Sequence, residues 1–269
     1  MATIAETAAD GGRRPDLLSG TPRAHAIDRW IYVFTAASFI AIVLAGFIPD
    51  SLEMVADVQA GHRPALPLVE HVHAVLMGSF LLLLLAQTWL VATGRTAQHM
   101  RLGLVAMVLA PVMVVAGFLL AGTNYHGVWA AAQTQPRLQP VVGILDNILL
   151  LQLRIGILFP ILLWIGLRAR RGEPGLHKRM MILATAVALP AGIDRIPWLW
   201  STMPNSPLSA DLWNLVAVSP LLLWDVARNR SVHRAWWIWL AFFVPASVAA
   251  NLLWNTAWWH GAARTLMGV

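Results

Sequence analysis

The chain of 269 residues has no cysteine. That excludes disulfides, cysteine-ligated zinc or iron–sulfur sites and any thiol nucleophile. Charge is scarce as well. Asp, Glu, Lys and Arg make up 12% of the residues, against roughly a quarter in soluble domains. The only lysine, Lys178, falls between apolar runs and not in the last of them, so a retinal Schiff base in a final helix is excluded. No H-E-x-x-H pairing occurs. Residues 1–24 contain Glu6, Asp10, Gly11, Gly12 and Asp16 and no apolar stretch of signal-peptide type, so residues 1–27 read as a disordered cytoplasmic tail.

What replaces the missing charge is apolar length. The chain is 58% hydrophobic with a mean hydropathy of +0.64. A bilayer core of about 30 Å takes roughly 20 apolar residues per helix. Seven such spans are expected, at about 28–48, 69–92, 100–121, 141–168, 177–193, 211–227 and 234–259. Residues 28–269 are therefore expected to form one all-α polytopic membrane bundle, and its main partner is the lipid bilayer.

The net charge of +6 and pI near 11.1 do not point to nucleic acid, because the cations sit in short loops between apolar runs. Arg13, Arg14, Arg23 and Arg29, then Arg95 and Arg101, then Arg168, Arg170, Arg171, Lys178 and Arg179, then Arg228, Arg230 and Arg234 fall on one side of the seven-span map. Only Arg63, Arg137, Arg195 and Arg264 fall on the other, and Asp50, Glu53, Asp57, Glu70, Asp194 and Asp211 join them there. This bias predicts a bacterial cytoplasmic (inner) membrane protein with its N-terminus inside and its C-terminus outside. Asp225, at the inner end of the sixth span, is expected to pair with a loop arginine.

The third, fifth and seventh spans open on related sequences: His99-Met-Arg101, His177-Lys-Arg179 and His233-Arg234. Each carries a proline 12 or 13 residues later, at Pro111, Pro190 and Pro245. The expected bundle is thus one helix plus three tandem hairpins. The histidines of the repeat are expected to cap helix starts at headgroup level beside snorkelling arginines.

Five histidines are expected on the outer side: His62, His71, His73, His126 and His260. His71 and His73 open the second span, where residues two apart point about 200° from each other. Glu70 and His73 share a face. His126 closes the third span, at a depth expected to match that of His73. Imidazoles with a carboxylate suit zinc, copper or non-haem iron, and two imidazoles across a helix pair suit haem.

Arg154 lies near the middle of the fourth span and needs a partner, for which Asp146, Glu70 or a bound ligand are candidates. Asn251 and Asn255, four apart in the last span, are expected to face a helix or a wet cavity.

The stretch HVHAVLMGSFLLLLLAQTWLVATGRTAQHMRLG (71–103) resembles a pattern of uncharacterised bacterial multi-spanning membrane proteins, and GLHKRMMILATAVALPAGIDR (175–195) resembles the same group. Histidines at the ends of paired helices are also similar to b-type haem membrane proteins and haem-assembly factors. The first likeness implies the topology and the second implies haem b.

Together these readings predict an outward-facing polar pocket walled by Glu70, His71, His73, His126, Asp146, Arg154, Asn251 and Asn255. His71, His73 and His126 would be metal ligands, with His73 and His126 as haem ligands if haem is bound. Asn251 and Asn255 would line the cofactor, and Glu70 and Arg154 would be the catalytic pair of a redox enzyme or assembly factor. A transporter or binding protein for a small anionic or lipid-like ligand anchored on Arg154 is the alternative, and a structural subunit of a membrane complex is a third.

Overall fold

In lipid, every backbone polar group must be satisfied internally, so an apolar chain stays helical unless something removes a donor or forces a close approach. The computed structural model describes residues 16–19, 21 and 23–269, and the described chain is helical with no strand. The helices are α1 (Ala26–Gln59), α2 (Leu68–Ala92), α3 (Thr96–Thr134), α4 (Gln139–Ala169), α5 (Pro174–Ala186), α6 (Pro190–Ile193), α7 (Leu208–Asn229), α8 (Arg234–Leu253) and α9 (Ala257–Met267).

Among the described residues, six helices are long and apolar enough to cross a bilayer: α1, α2, α3, α4, α7 and α8. The expected fifth span is divided. Pro190 supplies no N–H, and before it Val187, Ala188 and Leu189 tighten to bonds with the carbonyls of Ala184, Thr185 and Ala186. The result is α5, a tight turn and the short α6, with no backbone donor left open in that turn. Other prolines leave their helices continuous. Pro49 sits inside α1, which continues to Gln59, and Pro111 sits inside α3, which runs on to Thr134. The last span, expected to reach 259, stops at Leu253 and turns into α9 at an elbow.

The broken pair α5–α6 lies in the middle of the bundle. Met180, Ile182, Leu183, Ala184 and Ala186 are wholly buried, and α1, α4, α7 and α8 all pack on this segment. Small residues let the backbones approach. A Cβ on Gly46 would lie 2.0 Å from the Gly192 carbonyl oxygen, so α1 and α6 touch main chain to main chain. The α2–α3 pair packs beside α1 and α4. Apolar side chains such as Phe34, Leu82, Val108, Trp164 and Leu223 point outward, which places a lipid-compatible surface around the bundle.

Of the expected disordered tail, residues 1–15, 20 and 22 lie outside the described residues. Leu17–Ser19 form a 3-10 turn docked on the bundle, with Leu18 buried in the main core.

Candidate functional site

Buried polar groups gather at three levels. The arginine-rich end, where α1, α3, α5 and α8 begin, is the most densely bonded. Arg179, wholly buried, donates from Nε and Nη2 to the two oxygens of Asp225 at 2.7 Å, and from Nη1 and Nη2 to Asp16 at 2.8 and 3.0 Å. Trp236 Nε1 and Asn229 Nδ2 also donate to Asp225. Burial alone would raise the Asp16 carboxyl, but the Arg179 guanidinium outweighs it and holds the group well below the ordinary carboxylate range. One turn along α7, Arg228 and Trp224 donate to Asp28 at the start of α1. Asp225 thus takes a loop-proximal arginine as expected. The network satisfies its own charges and acts as a latch that ties the 16–19 turn, α1, α5, α7 and α8 together.

At mid-bundle, Arg154 reaches α7. Its Nη1 donates to Asp211 Oδ2 at 2.9 Å, Nη2 lies 2.8 Å from Oδ1, and both side chains are 4% exposed. Ser247 of α8 donates to the same Asp211 oxygen, and the guanidinium stands 5.9 Å from the Phe243 ring centre. The anion that Arg154 requires is therefore supplied within the chain, by an acid that the sequence places merely on the outer side. Asn214, one turn from Asp211, is wholly buried and neither end of its amide has a partner in the chain. Just past α6, burial pushes the Asp194 carboxyl up to about 6.

At the opposite end, Asp146 is wholly buried. Tyr125 Oη donates to its Oδ1 at 2.5 Å and His260 Nδ1 to its Oδ2 at 2.8 Å, while Trp259 donates to its backbone carbonyl. Asn147 and Asn255 are bonded twice, side chain to side chain at 2.6 Å and backbone N–H to side chain at 3.1 Å. Asn255 holds φ at 58°, a left-handed conformation that asparagine tolerates. Asn251 accepts from Ser206 and donates to the Ser247 carbonyl. These bonds seat the α8–α9 elbow on α4.

The expected pocket residues are thus distributed and not convergent. Asn124 of α3 donates to Glu70 Oε1 at 2.9 Å. His73 is half-buried against Gly117, and its Nδ1 is buried without a partner in the chain. His71 and His126 are exposed. His126 lies nine residues beyond Gly117, about 13 Å along α3, so it does not reach the depth of His73. Among the described residues, no group of three or more His, Asp or Glu side chains is placed to hold a metal ion.

A different imidazole pair does form. His99 of α3 and His177 of α5 face each other with ring centres 6.4 Å apart. His177 Nδ1 is 2.8 Å from the Gly166 carbonyl oxygen of α4. The bundle brings these residues together because His99 and His177 occupy the same register in two of the repeated helix starts. His233, third in the repeat, caps α8 by accepting from the Ala235 N–H, as expected of a helix-start histidine.

No known protein family, curated protein or solved structure matches this chain.

The residues that sequence reasoning passed over are Asp211, Asn214, Tyr125 and Ser247. One signal for the first two was present, since Asp211 and Asn214 share a face of an otherwise apolar helix. Tyr125 and Ser247 carried none. A groove of about 510 Å³ between α1 and α2, lined by residues including Trp30, Phe34, Leu85 and Trp89, is apolar and touches none of the three polar levels.

Proposed function

We propose that this chain is a seven-crossing protein of the bacterial cytoplasmic membrane, N-terminus inside, that binds a metal ion or haem through histidines held between its helices. Redox chemistry, or assembly of a redox centre, is the activity such a site would serve. The reading rests on one observation. His73 and His99, on the facing helices α2 and α3, each bury a ring nitrogen that has no partner in the chain. A polar group that loses water and gains no hydrogen bond costs about 1–3 kcal/mol, so two of them in one helix pair mark places where an exogenous partner is worth having. His73 sits one turn from Glu70, which Asn124 holds in place as a proton carrier.

The seventh crossing is supported by two ion pairs. Residues 174–193 span about 30 Å at 1.5 Å per residue, the thickness of a bilayer core. The Arg179 cluster lies at the level of Asp28, whereas Arg195, beyond α6, bonds Asp50 at 3.1 Å.

The test is the visible spectrum and metal content of the purified protein, compared with His73→Ala and His99→Ala. A Soret band, or stoichiometric copper, zinc or iron reduced in at least one variant, is the expected result. Protein that carries no metal or haem, and takes up neither when supplied, would overturn the reading.

A further inference from the structure

A histidine bound to metal generally donates its second ring N–H to a carbonyl or carboxylate, which fixes the tautomer and leaves the other nitrogen's lone pair for the ion. His177 has that arrangement. A carbonyl oxygen only accepts, so Nδ1 carries the hydrogen toward Gly166 and Nε2 is left bare. The facing ring of His99 buries an Nδ1 with no partner in the chain. Gln87 of α2 completes the surroundings. Its amide packs on Gly103, where a Cβ would come within 3.3 Å of Nε2. Its Oε1 is likewise buried and unpartnered. Gly103 is one turn from His99 on the same face of α3. Two lone-pair donors on imidazoles and one on an amide therefore share one small region at the arginine-rich end.

Spacing selects among occupants. An imidazole nitrogen binds zinc-like ions at about 2.0–2.1 Å and stands about 1.1 Å out from its ring centre, so two rings on opposite sides of one ion have centres about 6.3 Å apart. The observed separation is 6.4 Å. Charge selects further. Among the described residues His62 and His260 have carboxylate oxygens within 4.0 Å, whereas His99 and His177 have none. A divalent ion would be buried here without a counter-charge, whereas a monovalent ion with a preference for opposed nitrogen ligands brings half the charge and a smaller desolvation cost.

We propose that His99 and His177, with the Gln87 amide oxygen as a third donor, form a binding site for a monovalent soft transition-metal ion, copper(I). The site rests on the reading of the chain as a histidine-based metal or haem protein, and it lies at the end opposite His73.

The full chain in detergent, stripped with a chelator and titrated anaerobically with copper(I) against a chromophoric competitor, tests the assignment. One copper(I) per chain is expected. His177→Asn keeps an amide N–H for the Gly166 carbonyl but has no Nε2, so it should fold as the parent does and bind at least tenfold more weakly. His99→Ala should lose as much, Gln87→Leu less, and His62→Ala, an exposed histidine paired with Asp57, nothing. Thermal unfolding of each apoprotein verifies the fold, and His177→Asn decides alone if His99→Ala does not fold. Unchanged copper(I) affinity in His177→Asn overturns the site. So does copper lost only in His73→Ala, or tighter zinc(II) than copper(I) binding at the same residues, or a haem spectrum that depends on His99, although each of these leaves the broader reading standing. A chain that binds copper, zinc and haem not at all overturns both.

Discussion

A guanidinium in the middle of a helix in a low-dielectric interior persists only with a partner, and Arg154 has one held through two nitrogens. The consequence is asymmetric. Arg154→Gln leaves Asp211 buried with only the Ser247 hydroxyl and a neutral amide, and a cost of about 3–5 kcal/mol is expected. Removing both charges together, as Arg154→Met with Asp211→Leu, should recover most of that loss or exceed the parent, because the pair's desolvation goes with it. Denaturant unfolding of the single and double variants in detergent checks this. A single variant as stable as the parent would mean that Asp211 is not held by Arg154 in the membrane. The need for a partner was legible from one sequence, since a lone arginine in a 28-residue apolar stretch has few alternatives. Its identity was not, because Asp211 is 57 residues away in the chain and only the fold brings the two side chains together.

Elements show the same division between what periodicity reveals and what packing decides. The apolar runs read directly as helices, and the arginines between them marked one end of the bundle. Helix ends fall beyond the expected ones in α1 and α3, which run past 48 and 121 to Gln59 and Thr134. Pro49 and Pro111 lie within α1 and α3 because the surrounding turns remain bonded, and only Pro190, beside the contact of Gly192 with α1, breaks its helix. The histidine repeat was visible, but its use was not. His233 caps a helix as its position suggests, whereas His99 and His177, in the same register of the repeat, face each other, with His177 held by the Gly166 carbonyl. The α1–α6 contact offers a direct test. In Gly46→Ala the new Cβ would meet the Gly192 carbonyl at 2.0 Å, and since main chain cannot swing aside, a loss of about 1–3 kcal/mol is expected. Gly122→Ala in α3 meets nothing within 4 Å and should gain up to about 1 kcal/mol from helix propensity. Thermal unfolding of the two variants should shift in opposite directions, and equal shifts would mean that α1 and α6 are not in main-chain contact.

For the whole molecule, the decisive quantity is the parity of crossings, because it sets which side of the membrane carries the C-terminus. Six crossings return the chain to the side on which it started, and seven do not. The difference rests on residues 174–195. Asp28 and Asp50 lie 22 residues apart in α1, about 33 Å. Arg228 and Trp224 tie Asp28 to the stretch of α7 that also holds Asp225 and, through it, Arg179. Arg195 reaches Asp50. On the proposed seven-crossing reading, the broken α5–α6 segment runs alongside α1 between the same two levels and crosses the bilayer with it. Neither half is long enough to cross a bilayer by itself, and the proposed seventh crossing takes the two together. A reporter active only outside the cytoplasm, fused after Val269, should be active, and the same reporter placed at 171–173 should be silent, with a cytoplasmic reporter giving the reverse at both points. A silent outer reporter at Val269 combined with a silent one at 171–173 would mean an even number of crossings, with α5–α6 dipping into the bilayer and returning. In that case the Arg195–Asp50 pair would not form in the membrane, and Arg195→Ala would leave stability unchanged.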